Sequence, residues 1–337
     1  MEKNIFGRFP CGKEVNIYTL KSEVASLNII EYGARIQSFT VYGKEIVGGF
    51  DTLSDYLSDT AHHGATIGRV ANRIEDAKFV MDGKEYTVTA NDNGNCLHGG
   101  VGFGFKMWEL CDAGDDFVSL KYLAADGEEG FPANLAVTVT FTLKDATVII
   151  DYKATPDGKT PIALTNHSYF NLDGFGGTVF EHSAVIYADN YTEVSERLIP
   201  TGNRPCVRGT ALDFKEEHKI GERIGGDFIG YDHNYIITPT IYEDFQGKSL
   251  GLGATVTNGD LKLSVYTDQP GIQLYTGNFL GTDADTPKFR GSIEPIMHGA
   301  FCLEAQTEPN CVNSGIGFYN EGEVYTQTTA YKVEKVQ

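Results

Sequence analysis

Over many short stretches the chain alternates apolar and polar residues every second position, the period at which side chains on a strand face opposite sides of a sheet. Residues 15–20, 137–143 (VTVTFTL), 146–152, 182–187 and 261–267 carry this pattern and are expected strands. Two hairpin turns are visible in the string. Asp82-Gly83 separates KFVM from KEYTVT, and Asn258-Gly259 separates ATVT from DLKLSVYT. Both pairs tolerate the positive φ that a two-residue turn demands. The helical period is rare: a short helix is expected over 53–59, capped by Thr52 or Ser54, and another over 215–224. Neither is long enough to organise a domain. With no fixed-period repeat, low-complexity tract or Pro/Ser linker, residues 1–337 are expected to form one large all-β, antiparallel sandwich-like domain.

Composition narrows the function classes. With 41% hydrophobic and 22% charged residues the chain has a folded, non-membranous composition, and its 39 glycines fit many tight turns. No stretch reaches the ~18–20 uninterrupted apolar residues of a spanning helix. The N-terminal MEKNIFGRFPCGKEVNIYTL lacks the apolar centre of a secretory signal, so a cytoplasmic protein with no membrane partner is expected. A net charge of −19 argues against nucleic acid as a partner, because that affinity comes from neutralising phosphates. Six cysteines with no CxxC pair read as buried or free thiols.

Polar residues of catalytic type gather in six strings: GRVANRI (68–74), CLHGG (96–100), TNHSYFNL (165–172), GYDHNY (230–235), GIQLYTGNF (271–279) and FCLEAQ (301–306). Each sets a His, Arg, Asp, Gln or Glu among strand-forming apolar residues, where burial demands a protein partner or a ligand. Glu304 follows Phe301, Cys302 and Leu303. Desolvation would raise its pKa towards that of a general base, and a structural salt bridge to Arg73 is the alternative. His167, between Asn166 and Ser168 with Tyr169 and Phe170 beyond, suits a sugar site or a satisfied core position. His98 before Gly99 and Gly100 stands where backbone can approach a ligand, or simply in a turn. GGVGFGF (99–105) lacks the Lys-Ser/Thr of a nucleotide loop, and no GxSxG string marks a serine hydrolase. His62-His63 would face opposite sides of a strand, and no other string has metal-ligand spacing, so no metal is expected.

In this order, NRI, LHGG, NHSYFNL, IPTG (199–202), YDHNY, YTGNF and CLEAQ together resemble the aldose 1-epimerase, or galactose mutarotase, family over nearly the whole chain, from IIEYGARIQSF (29–39) to GEVYTQTTAYKV (322–333). The resemblance implies a large antiparallel β-sandwich with an open sugar cleft, and an isomerase that interconverts the anomers of free aldoses such as galactose and glucose without a cofactor. It implies Glu304 as general base, protonated His167 as general acid, His98 as a second catalytic histidine, and Asn72, Arg73, Asp232 and Gln273 as sugar-binding residues. The partner would be a small aldose, and the protein a monomer or homodimer. Two departures fall beside the expected cleft: Phe105 stands where the family carries an Asp before Lys106, in a loop one residue shorter, and Glu308-Pro309-Asn310 replaces an aromatic-Pro-Asp string. Three other readings remain open: a hexose-6-phosphate 1-epimerase, a non-catalytic sugar-binding module, and a glycosidase using Glu304 with Asp232.

Overall fold

The computed structural model describes residues 1–282 and 286–336. Its largest element is a ten-stranded sheet. Along its main path the strands run Glu109–Ala113, Phe117–Ala124, Leu135–Lys144, Thr147–Pro156, Tyr325–Lys335, Leu261–Thr267, Lys248–Asn258, Ser183–Ile186 and His218–Lys219, with Tyr242–Phe245 paired to the side. The pairings are antiparallel. Alternation explains which face is buried. In Leu135–Lys144 the residues Leu135, Val137, Val139 and Phe141 are almost fully buried, and those between are partly or fully exposed until Thr142. A five-stranded meander, Glu2–Arg8 to Lys44–Glu45, packs Tyr18, Leu20, Leu27, Ile29 and Phe39 into the same core as Val118, Leu120, Ile150, Val265 and Val333. The result is the expected all-β sandwich, its two apolar faces closed on one another.

A third sheet carries three of the expected site residues, Asp232, Gln273 and Glu304: its strands are Ala188–Tyr191, Asp232–Ile237, Gly271–Tyr275 and Cys302–Gln306, antiparallel and in that order. It places Asp232 opposite Tyr275, and Asn234, Gln273 and Glu304 in one row across three strands.

Local expectations met the structure with two corrections. The helix Leu53–Ser58 forms, and Thr52 caps it by accepting from the Asp55 amide at 3.2 Å. The Asp82-Gly83 turn forms between Met81 and Lys84, with both residues at positive φ. The second hairpin turns one residue later than expected: Asn258 stays in the ladder opposite Leu261, so Gly259-Asp260 makes the turn and Gly259 takes φ +56. The helix expected over 215–224 is absent. His218–Lys219 instead adds an edge strand to Ser183–Ile186, and only a 3₁₀ turn, Ile220–Arg223, follows. Gly221 packs on Phe180, and Gly225-Gly226 stand just beyond, so the segment lacks residues that would reward helix formation. Among the described residues no helix is long and apolar enough to cross a membrane.

Candidate active site

The six polar strings converge on a cleft of about 460 Å³. Two are joined by a short ladder, Arg73–Ile74 against Cys96–Leu97, which sets Asn72 beside His98. The His98 amide donates to the Asn72 carbonyl at 3.0 Å, and the Asn72 amide donates to His98 Nδ1 at 3.2 Å. Both residues hold positive φ, as does His62 on the same wall. Left-handed backbone at non-glycine residues is uncommon and tends to collect at functional sites. Gly99, at φ +77, lies so close to the Gly68 carbonyl that a Cβ would approach it to 2.4 Å; glycine is what lets the CLHGG turn pack against the GRVANRI segment.

His167 ends the strand Thr165–His167, whose ladder with Ala65–Ile67 fixes its backbone. Its Nε2 lies 3.8 Å from Glu304 Oε1, and its Nδ1 lies 3.6 Å from the Cys302 thiol. Glu304 is 2% exposed, and its Oε2 has no hydrogen-bond partner among the described residues. The alternative of a structural salt bridge fails: Arg73 Nε donates to Asp92 instead, at 2.7 Å. Asp232 lines the cleft and accepts from Gln273 Nε2 at 2.6 Å. Gln273 is not on the cleft wall, so its visible role is to hold Asp232 rather than to touch a ligand. Glu304, His167, His98, Asn72, Arg73 and Asp232 all line the cleft.

Burial sets the electrostatics. Desolvation, with Asp232 adding to it and Arg73 opposing it, raises the Glu304 pKa well above the usual carboxyl range. Desolvation pushes His167 down to about 3 and His98 well below its ordinary value, with neighbouring imidazoles pushing the same way. The expected imidazolium at His167 is therefore the form that burial disfavours.

Sequence spacing does not register contacts between distant segments, and the fold brings ligand atoms of His98, His167 and Glu304 within 4.8 Å of one another. The tautomer at His98 does not suit a cation. Its Nδ1 accepts the Asn72 amide proton, so in the neutral ring Nε2 carries hydrogen and is a donor. A donor there fits a sugar oxygen.

Sequence reasoning missed several cleft residues: His62, Asp92, Tyr169, Tyr275 and Phe279. Phe279 is 65% exposed, an apolar face of the kind that sugar rings stack upon, and it lay unused within the quoted string GIQLYTGNF. Asp59 and His63 also line the cleft, in a network with Arg35 that no local string announces. Of the two departures, Phe105 packs its ring 4.9 Å from that of His62. The second does not line the cleft: Glu308 pairs with Arg204 at a separate pocket of about 150 Å³, while Asn310 backs the cleft wall by donating its amide to the Arg73 carbonyl.

The family model described as aldose 1-epimerase matches residues 16–332. A galactose mutarotase of Sus scrofa is 38% identical over 97% of this chain and 96% of its own length, and that of Homo sapiens is 38% identical over 97% of each. An aldose 1-epimerase of Escherichia coli is 33% identical over 96% of each. Among solved structures, an aldose epimerase homologue from C. elegans superposes with TM-score 0.86 at 29% identity, covering 96% of this chain and all of that one. With this fold, these relatives and the cleft described above, the chain belongs to the aldose 1-epimerase family.

Proposed function

We propose that the protein interconverts the α and β anomers of a free aldohexose, with Glu304 as general base and His167 as general acid. The observation that carries this reading is a buried carboxyl paired with no Arg or Lys among the described residues, facing an imidazole across 3.8 Å in a sugar-sized cleft. In the reactive form the pair's proton sits on His167, as Glu304⁻ and imidazolium. The positive charge of Arg73 favours that carboxylate. Glu304 takes the C1 hydroxyl proton while His167 protonates the ring oxygen, and the C1–O5 bond breaks to give the open aldehyde. After rotation about C1–C2, His167 takes the O5 proton back as O5 attacks the other face. Glu304 then returns its proton to the former carbonyl oxygen, leaving the pair as it began.

His98 Nε2–H steadies an oxygen on which charge develops, and Asn72, Arg73 and Asp232 hold ring hydroxyls, with Gln273 fixing Asp232. No electrons are transferred, so the reaction requires no redox cofactor. A 6-phosphate is disfavoured: Arg73 is the one Arg or Lys among the described lining residues and is already paired to Asp92, while Asp59, Asp232 and Glu304 also face the cleft. Three exposed free thiols, at Cys11, Cys111 and Cys206, favour a reducing compartment such as the cytoplasm. Polarimetry of freshly dissolved α-D-galactose and α-D-glucose tests the function. Acceleration over the buffer rate is expected, and an unchanged rate for both sugars would leave a binding module in place of an enzyme.

A further inference from the structure

His62 is a buried imidazole that the proposed chemistry leaves unused. It is 7% exposed, lines the cleft, and makes no side-chain hydrogen bond among the described residues. Its neighbour His63 differs, since His63 Nδ1 is bonded to Asp59 Oδ1 at 2.9 Å. The His62 ring meets the His98 ring edge-on at 4.8 Å between centroids and lies 6.1 Å from that of His167. Its Nδ1 is sealed off near Gly104, which leaves Nε2 as the hydrogen-bonding atom it can offer to the cleft. A buried imidazole without a partner is costly, so a ligand that supplies one has something to gain there.

The cleft has two sides. The Glu304 carboxyl clusters with His98 and His167, their ligand atoms within 4.8 Å of one another, whereas His62 stands outside that cluster, packed on Phe105 and facing the His98 and His167 rings from the other side. A pyranose whose ring oxygen meets His167 and whose C1 hydroxyl meets Glu304 directs its other ring-oxygen neighbour, C5, away from Glu304. The substituent on C5 is the hydroxymethyl group. We propose that His62 Nε2 hydrogen-bonds O6 of that group and makes the cleft selective for hexoses that carry it. The proposal rests on the assignment of His167 and Glu304 to O5 and the C1 hydroxyl.

D-Galactose and its 6-deoxy counterpart, D-fucose, differ at this one hydroxyl and therefore form the test. With the native protein, kcat/KM for mutarotation of galactose is expected to exceed that of 6-deoxygalactose by about three- to tenfold, the worth of one net hydrogen bond. His62→Phe should lose most of that preference by raising KM for galactose, and His62→Gln, which keeps a donor and an acceptor, should retain part of it. Equal kcat/KM for the two sugars with the native protein would overturn the proposal without recourse to a variant. Equal losses on both sugars in His62→Phe would overturn it too, leaving His62 a packing residue. If the native protein accelerates neither of these sugars nor glucose, the epimerase reading itself fails; if it accelerates galactose and 6-deoxygalactose alike, only the role of His62 does.

Discussion

Glu304 answers two demands that oppose each other. Catalysis wants an ionisable carboxyl in a dry place, and folding would prefer none, because Oε2 is buried without a partner. Its folded pKa lies above the unfolded value, so its contribution to stability is fully present below the unfolded pKa and is lost as pH rises through the folded one. Glu304→Gln removes that penalty. The variant is expected to lose about 10²–10⁴ in kcat, the range for removal of general acid–base catalysis, while binding sugar. Its stability at pH 8 should equal or exceed that of the native protein by about 1–3 kcal/mol, the scale of a buried polar group left unsatisfied, and the gain should shrink towards pH 4. Polarimetry and thermal melts at both pH values check this. A variant that is inactive and also less stable at pH 8 would mean that the ionised carboxylate has a stabilising partner.

At the scale of elements, the row of side chains across the third sheet divides binding from chemistry. Gln273 and Glu304 are cross-strand neighbours, yet Gln273 spends its amide on Asp232. Hydrogen bonds to hydroxyls remote from C1 are about equally strong in the ground and transition states, so losing them should raise KM far more than it lowers kcat. Asp232→Asn is therefore expected to raise KM about tenfold, the worth of a charge-assisted hydrogen bond. Gln273→Met should reproduce part of that rise, and the double variant should be little worse than Asp232→Asn alone. Independent, additive effects on KM would place Gln273 in direct contact with sugar.

The Leu53–Ser58 helix leads into a second device. Asp59, just past its end, accepts from Arg35 Nη1 at 2.6 Å and from the His63 amide at 2.9 Å, all three residues being buried. Despite desolvation, His63 and Arg35 hold the Asp59 carboxyl far below the usual range. A depressed pKa gives stability that is present above the unfolded value and lost as pH falls through the folded one. Asp59→Asn should cost about 3–5 kcal/mol at pH 7, since Arg35 keeps a buried charge without its counterion. Urea titrations at pH 7 measure it, and a loss below 1 kcal/mol would contradict the network's role. Little of this was legible in the chain. Glu304, His167, His98, Arg73 and Asp232 could be read because each sits in a string whose polar residue is out of place among apolar neighbours. Arg35 to Asp59, Arg73 to Asp92 and His62 against His98 are partnerships between distant segments, and no local period records them. The failed 215–224 helix has the same origin: an edge-strand pairing with Ser183–Ile186 took His218 and Lys219.

On the scale of the whole molecule, the C-terminal strand Tyr325–Lys335 is the member that connects sandwich to site. It lies inside the ten-stranded sheet, between Thr147–Pro156 and Leu261–Thr267, so the last residues of the chain close pairings made by its middle. It also reaches the strand that carries Glu304. Tyr331 donates its hydroxyl to the Leu303 carbonyl at 2.9 Å, and Gln327 Nε2 donates to the Ala305 carbonyl at 2.9 Å, on either side of Glu304. Thr165, two residues before His167, donates to that same Ala305 carbonyl at 2.9 Å. The proposed acid and base are thus fixed to one framework by bonds that touch neither carboxyl nor imidazole. Proton transfer depends on tenths of an ångström, so loosening the peptide units around Glu304 should act on kcat rather than on KM. Tyr331→Phe keeps the ring in the core and removes one bond to Leu303. It is expected to lose about 1 kcal/mol of stability and to lower kcat several-fold with KM nearly unchanged. Steady-state kinetics beside urea titrations separate the outcomes: if stability falls while kcat stays native, the large sheet holds the fold together but does not aim Glu304.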